Sequence, residues 1–284
     1  MWLLLSTSLL ACAACQPTAP TQPTDQVAPL TAAEPAAELA PGTEQQVAQQ
    51  AGSAVEPGPA APAEGSTDLW PSLLAEFVTA DGGFRYQALV VDADARQVLN
   101  DAVGQIAVAD LALMERDAKL AFLINAYNVL VVQSVVDAWP VDSVLNVPGF
   151  FDARTHRVAG MELTLNALEN DHIRTMGDPR IHFAVNCAST SCPPLAALPY
   201  HAATLDAELE RVATDYVRAT TRVVDGGGTM ELSRIFEWFV DDFAAVGGIG
   251  TFVRSRLSDT QRGELSEEDV EITFAEYDWA LNGR

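Results

Sequence analysis

Ala118-Lys119-Leu120-Ala121-Phe122-Leu123-Ile124-Asn125-Ala126-Tyr127-Asn128-Val129-Leu130-Val131-Val132-Gln133-Ser134-Val135-Val136-Asp137-Ala138-Trp139 is apolar on almost every side of a helical wheel, and this decides the fold. A helix apolar all round is enclosed, either by its own protein or by lipid. Asn125, Asn128, Gln133, Ser134 and Asp137 interrupt the run, which argues for a central helix buried on most sides and against a membrane span. Around it the periodicity predicts helices from an Asp68 cap through Phe77, from Ala93 to Met114, from Leu165 to Thr175, from a Thr204 cap through Val217, and from Arg234 to Ala245, with further helix to about Leu257. His156 to Thr164 alternates around Gly160 as a hairpin. Strands are predicted at Ile181–Asn186, Thr229–Leu232 and Val270–Phe274. Helices outnumber strands and do not alternate with them, so the class is α+β: one helix-rich domain with a small sheet, over residues 68–284.

What precedes the domain is of another composition. Residues 1–15 are short, apolar and end in small residues, like a secretory signal. Leu9-Leu10-Ala11-Cys12 resembles a bacterial lipobox, which makes Cys12 the candidate for lipidation and Cys15 the second choice. A simple cleaved signal is the competing reading, since no positive charge follows Met1. Residues 16–67, rich in Ala, Pro, Gln, Glu and Thr, lack the large apolar side chains needed to offset chain entropy and are expected to form a disordered linker. These readings place the protein in a bacterial cell envelope, on the outer membrane, with the membrane as its partner through an N-terminal lipid anchor. The chain of 284 residues carries 39 acidic against 16 basic side chains, a formal net charge of -23. That argues against nucleic acid, whose binding depends on clustered Lys and Arg.

Chemistry is expected in Arg180-Ile181-His182-Phe183-Ala184-Val185-Asn186-Cys187-Ala188-Ser189-Thr190-Ser191-Cys192-Pro193-Pro194, which holds both cysteines of the domain. Export permits a Cys187–Cys192 disulfide; the other reading makes Cys187 a thiolate nucleophile. No metal and no cofactor is expected, because a zinc site would need two further ligands that no second Cys or His cluster supplies. His172, His201 and His182 are the candidate bases, with His182 disfavoured because residues five apart on a strand face opposite ways.

Phe122 to Asn128, Leu165 to Asn170 with Ile173-Arg174, His182 to Pro194, Phe236-Glu237-Trp238 with Asp242-Phe243, and Tyr277-Asp278-Trp279 with Leu281-Asn282 resemble the family catalogued as domain of unknown function 547. The resemblance runs in order from Tyr86 to Asn282; Leu123 departs from the tryptophan usual there. It implies a fold and a common site but brings no reaction, substrate or cofactor.

Asn125 and Asn128, three apart, share a face of the central helix and either tie it to a loop or bind a ligand. Glu169 and Arg174, five apart, are expected on different sides of their helix, with Arg174 free to grip a carboxylate of the protein or of a substrate. Two functions follow. One is a thiol-dependent hydrolase or acyl transferase on an amide or peptide-like substrate, with Cys187 attacking, Asn125 or Asn128 steadying the oxyanion and Arg174 positioning a carboxylate. The alternative is a non-catalytic module binding a small molecule or peptide, or assisting assembly, its loop shaped by the disulfide.

Overall fold

A computed structural model describes residues 69–267 and 269–283, all within the compact unit Pro57–Arg284. Cys12, Cys15, the expected signal and linker, and the expected cap Asp68 lie outside the described residues. The domain is helix-rich α+β, with two small sheets where one was expected.

Three helices, α1 (Trp70–Phe77), α2 (Tyr86–Val91) and α3 (Ala93–Val108), lead to α4 (Arg116–Ala138). Every residue of α4 from Leu120 to Val132 is buried, so its apolar girdle is spent inside the protein. The expected hairpin follows as β1 (Thr155–Val158) and β2 (Met161–Thr164), with Val158 opposite Met161. Its turn hydrogen-bonds to the end of α3, Ala159 N–H to Ile106 O and Gly160 N–H to Ala107 O. α5 (Leu165–Ala167) runs into a π-helical turn, Leu168–Ile173, and a 3₁₀ turn, Arg174–Met176.

The strand expected at Ile181–Asn186 is absent. Asp178 caps a 3₁₀ turn, Pro179–Phe183, by accepting from Arg180 N–H at 3.0 Å, with Pro179 pre-set for its first position. β-branched and aromatic residues here serve burial rather than a sheet, since all six residues from Ile181 to Asn186 are buried. Their backbone needs no strand partner because Asn128 supplies one: its Nδ2 donates to Ala184 O at 3.0 Å and its Oδ1 accepts from Asn186 N–H at 2.8 Å. Asn125 does the same one turn earlier, bonding both ways to the backbone of Tyr200 at 2.8 and 3.0 Å.

α6 (Leu205–Thr220) starts at Thr204, whose hydroxyl bonds the Glu208 side chain instead of capping a helix amide as expected. A three-stranded sheet then forms from β3 (Arg222–Val224), β4 (Thr229–Leu232) and β5 (Glu271–Phe274), with β3–β4 antiparallel and β4–β5 parallel. The helix expected from Arg234 breaks at Phe239 into α7 (Ile235–Trp238) and a 3₁₀ turn, Val240–Val246, followed by α8 (Gly248–Arg256) and α9 (Asp259–Glu264). One apolar cluster surrounds α4; a second, largely aromatic, centres on Phe183, packed 5.3 to 6.3 Å from Tyr216, Phe236, Phe243 and Phe252. Its neighbour His182 packs against the same cluster, 3.9 Å from Phe239 and 6.1 Å from Phe243.

Two outcomes test this arrangement. Asn128→Ala removes the side-chain partner of two buried backbone groups and is expected to cost about 2–4 kcal/mol in urea denaturation of the full chain; a loss below about 0.5 kcal/mol would show the clip to be dispensable. His156, buried beneath the hairpin with Nε2 3.3 Å from Ser134 Oγ, has its pKa lowered from 6.5 to about 4 by burial, reinforced by Arg154. The unfolded chain therefore binds more protons there between about pH 4 and 6.5, and stability falls as pH drops through that window. His156→Gln is expected to flatten this slope relative to wild type; parallel curves would remove His156 as its source.

Candidate functional site

The loop after the 3₁₀ turn is organised by Asn186. Its Oδ1 accepts from Ala188 N–H at 2.8 Å and from Asn282 Nδ2 at 3.2 Å, while its own Nδ2 donates to Pro193 O at 2.7 Å. Ala188 consequently adopts φ 60°, a left-handed conformation that costs a non-glycine residue energy. The C-terminal tail seals the loop: Thr190 N–H bonds Ala280 O, Ser191 N–H bonds Asp278 O, and Asn282 N–H bonds Ala188 O. At Gly82 an added Cβ would collide with Pro194 Cβ, so the backbone of the first loop closes directly onto the double proline.

These constraints aim Cys187. It is a free, half-buried thiol whose Sγ lies 3.1 Å from Ser189 Oγ and 3.2 Å from Tyr277 Oη; the two hydroxyls are themselves 3.1 Å apart. Cys192 is also a free thiol here, where a disulfide with Cys187 had been allowed for; its Sγ accepts the Cys187 N–H at 2.7 Å. Burial pushes the Cys187 thiol up, but hydrogen bonds from Cys192, Ser189 and Tyr277 to the thiolate outweigh it and hold Cys187 below the ordinary range. Burial and the neighbouring Cys187 charge push Cys192 well above that range. Of the pair, Cys187 ionises first and Cys192 keeps its proton.

A second cluster forms around His182, five residues before Cys187. His182, with its side chain 1% exposed, bonds through Nε2 to Asp242 Oδ2 at 2.7 Å. Arg174 grips the same carboxylate through two nitrogens at 2.7 and 2.8 Å. Phe239 stacks on the imidazole at 3.9 Å with 17° between planes, and the Arg174 guanidinium lies 4.9 Å from that ring's centroid. His182 Nδ1 has no hydrogen-bond partner and stands 4.0 Å from Glu169 Oε1. Burial tends to raise Asp242, yet its bonds to His182 and Arg174 hold it far below the carboxylate range. Burial raises Glu169 above its ordinary value, against the pull of His182, Tyr127 and Arg174. Burial raises the pKa of the Tyr127 hydroxyl, with further contributions from Glu169 and from both cysteines.

The site corrects several expectations. Glu169 and Arg174 share a side because the turn between them is π-helical: Arg174 N–H bonds Glu169 O, the i to i+5 bond that stacks residues five apart. The grounds for disfavouring His182 vanish with the missing strand. Asn125 and Asn128 are backbone clips, their amides committed to Tyr200 and to Ala184 and Asn186, so neither stands as an oxyanion donor. Arg174 holds a protein carboxylate, the structural branch of its reading. His172 is partly buried and His201 exposed, and neither bonds Cys187. Tyr277 touches the sulfur and Phe239 stacks on His182, and neither was a candidate site residue from the sequence. Among the described residues no group of three or more His, Cys, Asp and Glu is arranged to hold a metal.

Beside the thiol opens a cleft of about 890 Å³, between α6, the 190–198 loop and the start of the C-terminal tail. Cys192 and Tyr277, both in contact with Cys187, line it. Trp238, 43% exposed, stacks 4.8 Å from Tyr277 and 5.8 Å from Trp279 on the outer side.

Residues 111–217 match the model of the family described as Protein of unknown function, DUF547. No curated protein and no solved structure matches the chain. The DUF547 segment holds Tyr127, Glu169, Arg174, His182 and both cysteines; Asp242, Phe239 and Tyr277, which complete the site, come from beyond it. The site is thus assembled by the matched segment and the chain that follows it.

The thiol's environment is directly testable. The pH midpoint of Cys187 alkylation, read by peptide mass, is expected below that of an ordinary thiol, and Tyr277→Phe is expected to raise it. An unchanged midpoint in that variant would mean that Tyr277 does not stabilise the thiolate.

Proposed function

We propose that the protein is a thiol-dependent hydrolase or acyl transferase acting on an amide or peptide-like substrate of the cell envelope. The observation that carries this reading is the thiol itself: free, half-buried, bonded by two hydroxyls and held below its ordinary pKa. A structural cysteine is ordinarily inert and raised by burial. Here burial is overcome.

In this reading Cys187 thiolate attacks the carbonyl carbon, and the carbonyl π electrons move to oxygen. The Tyr277 hydroxyl, on the cleft wall and 3.2 Å from sulfur, takes the oxyanion-donor role once given to Asn125 or Asn128. Collapse of the tetrahedral adduct expels the amine, which needs a proton. His182 is the base and acid: Asp242 fixes Nε2, Phe239 fixes the ring plane, and Nδ1 remains unpaired. No hydrogen bond joins His182 to Cys187 in this structure. Catalytic hydrogen bonds are commonly long without substrate and tighten when it binds. Water or an acceptor amine then attacks the thioester, releasing Cys187. Localisation on the outer membrane through a lipid on Cys12 belongs to the same proposal; it rests on Leu9-Leu10-Ala11-Cys12 alone.

The deciding experiment offers the full chain a generic acyl donor, p-nitrophenyl acetate, and follows both nitrophenolate release and acyl adducts by mass. Wild type is expected to carry the acyl group on Cys187, and Cys187→Ala to fall to the uncatalysed rate with unchanged melting temperature. His182→Ala is expected to lose about 10²–10⁴-fold in turnover. Equal turnover by Cys187→Ala would end the nucleophile reading.

A further inference from the structure

The proposed reaction leaves most of the adjoining cleft unused, and its lining points to one kind of ligand. Two basic side chains line the cleft, and each is committed: Arg211 Nη1 lies 3.3 Å from Asp215, and Arg222 Nη1 lies 3.3 Å from Glu231. Three further carboxylates, Asp81, Glu208 and Glu276, line it without an ion pair among the described residues. Tyr200, Tyr216 and Tyr277 supply aromatic surface to the same walls. Tyr200 adds an independent sign of a ligand: its side chain is 4% exposed, its hydroxyl has no hydrogen-bond partner, and it senses the charges of Arg211 and Glu208 on the cleft wall. A buried hydroxyl without a partner is costly to keep. Carboxylates without a cationic partner together with tyrosine rings form an environment suited to cations, which gain from both the charge and the ring quadrupole.

We propose that this cleft is the substrate groove and that it receives a cationic group, an ammonium or guanidinium carried by the substrate. The inference rests on the thiol-dependent reading above, and it adds the class of substrate. The cation lies along α6 near Glu208, and the scissile carbonyl reaches Cys187 past Cys192 and Tyr277.

Alkylation of Cys187 in the full chain by three N-substituted iodoacetamides tests it, the substituent being ethyltrimethylammonium, plain ethyl or ethylsulfonate. In each case a sulfur–carbon bond forms, iodide leaves with its electron pair, and the thiol proton passes to solvent. Rates are located by peptide fragmentation and normalised to those of free cysteine. The cationic reagent is expected to react about tenfold faster than the neutral one and the anionic reagent slower, the three converging at high salt. Glu208→Gln and Glu276→Gln are each expected to cut the cation preference by about threefold. Glu162→Gln, exposed on the hairpin, controls for the field of the whole acidic chain and is expected to leave it unchanged. Equal rates, an anion preference, or an effect of Glu162→Gln as large as the others would overturn the groove's charge selectivity. Failure of all three reagents to modify Cys187 would instead overturn the thiol reading on which it rests.

Discussion

The amide of Asn128 is the contact on which the site depends. Its two bonds fasten the Ala184–Asn186 backbone to the middle of the most buried helix in the described structure. A segment held that way needs no strand partner, and so its next residues are free to leave the core as a loop. Asn186 then continues the same logic with its own amide, turning the chain at Ala188 and catching both Pro193 and Asn282. Each of these bonds sits where water is excluded, and there a satisfied amide is directional and an unsatisfied one expensive. The result is a cysteine on a loop whose position is set from the core outward. Loops that carry chemistry are commonly placed by rigid scaffolds in this way.

The parts legible in the sequence were those governed by periodicity and chain-breaking residues. α4 announced itself because no face of Leu120–Val132 is polar enough for water, and the hairpin because Gly160 punctuates alternation. The failures also have physical causes. Ile181–Asn186 has strand-forming side chains, but the capping of Pro179–Phe183 and the clip from Asn128 are tertiary facts. The π turn under Glu169 inserts one residue into a helix, a change no hydropathy pattern records, and it inverts the expected relation of Glu169 to Arg174. α9 was missed although Ser258 and Gln261 form a capping box, a signal present in the sequence and passed over. Asp242 and Tyr277 approach His182 and Cys187 from 60 and 90 residues away, which spacing cannot reveal.

The two halves of the site differ in how they treat charge. Around Cys187 the stabilising groups are neutral hydroxyls and a second thiol, so ionisation is favoured by donors rather than by a fixed cation. Around His182 the partners are ionisable: one carboxylate is shared between an arginine and an imidazole, and a second, Glu169, faces the other nitrogen at 4.0 Å. Burial raises Glu169, while bonds to His182 and Arg174 hold Asp242 low, and titratable groups whose environments push their pKa values apart are suited to different roles in proton transfer.

That division explains the unpaired Nδ1 of His182. The ring cannot rotate, since Phe239 stacks on its face and Asp242 holds its opposite nitrogen, so Nδ1 has one direction in which to find a proton. Leaving it unpaired costs roughly 1–3 kcal/mol, which a purely structural histidine would avoid by bonding Glu169 directly. At 4.0 Å the gap is too wide for that bond. A fixed imidazole with one nitrogen anchored and the other facing a carboxyl group at 4.0 Å is suited to proton transfer, because little reorganisation is needed when the proton moves.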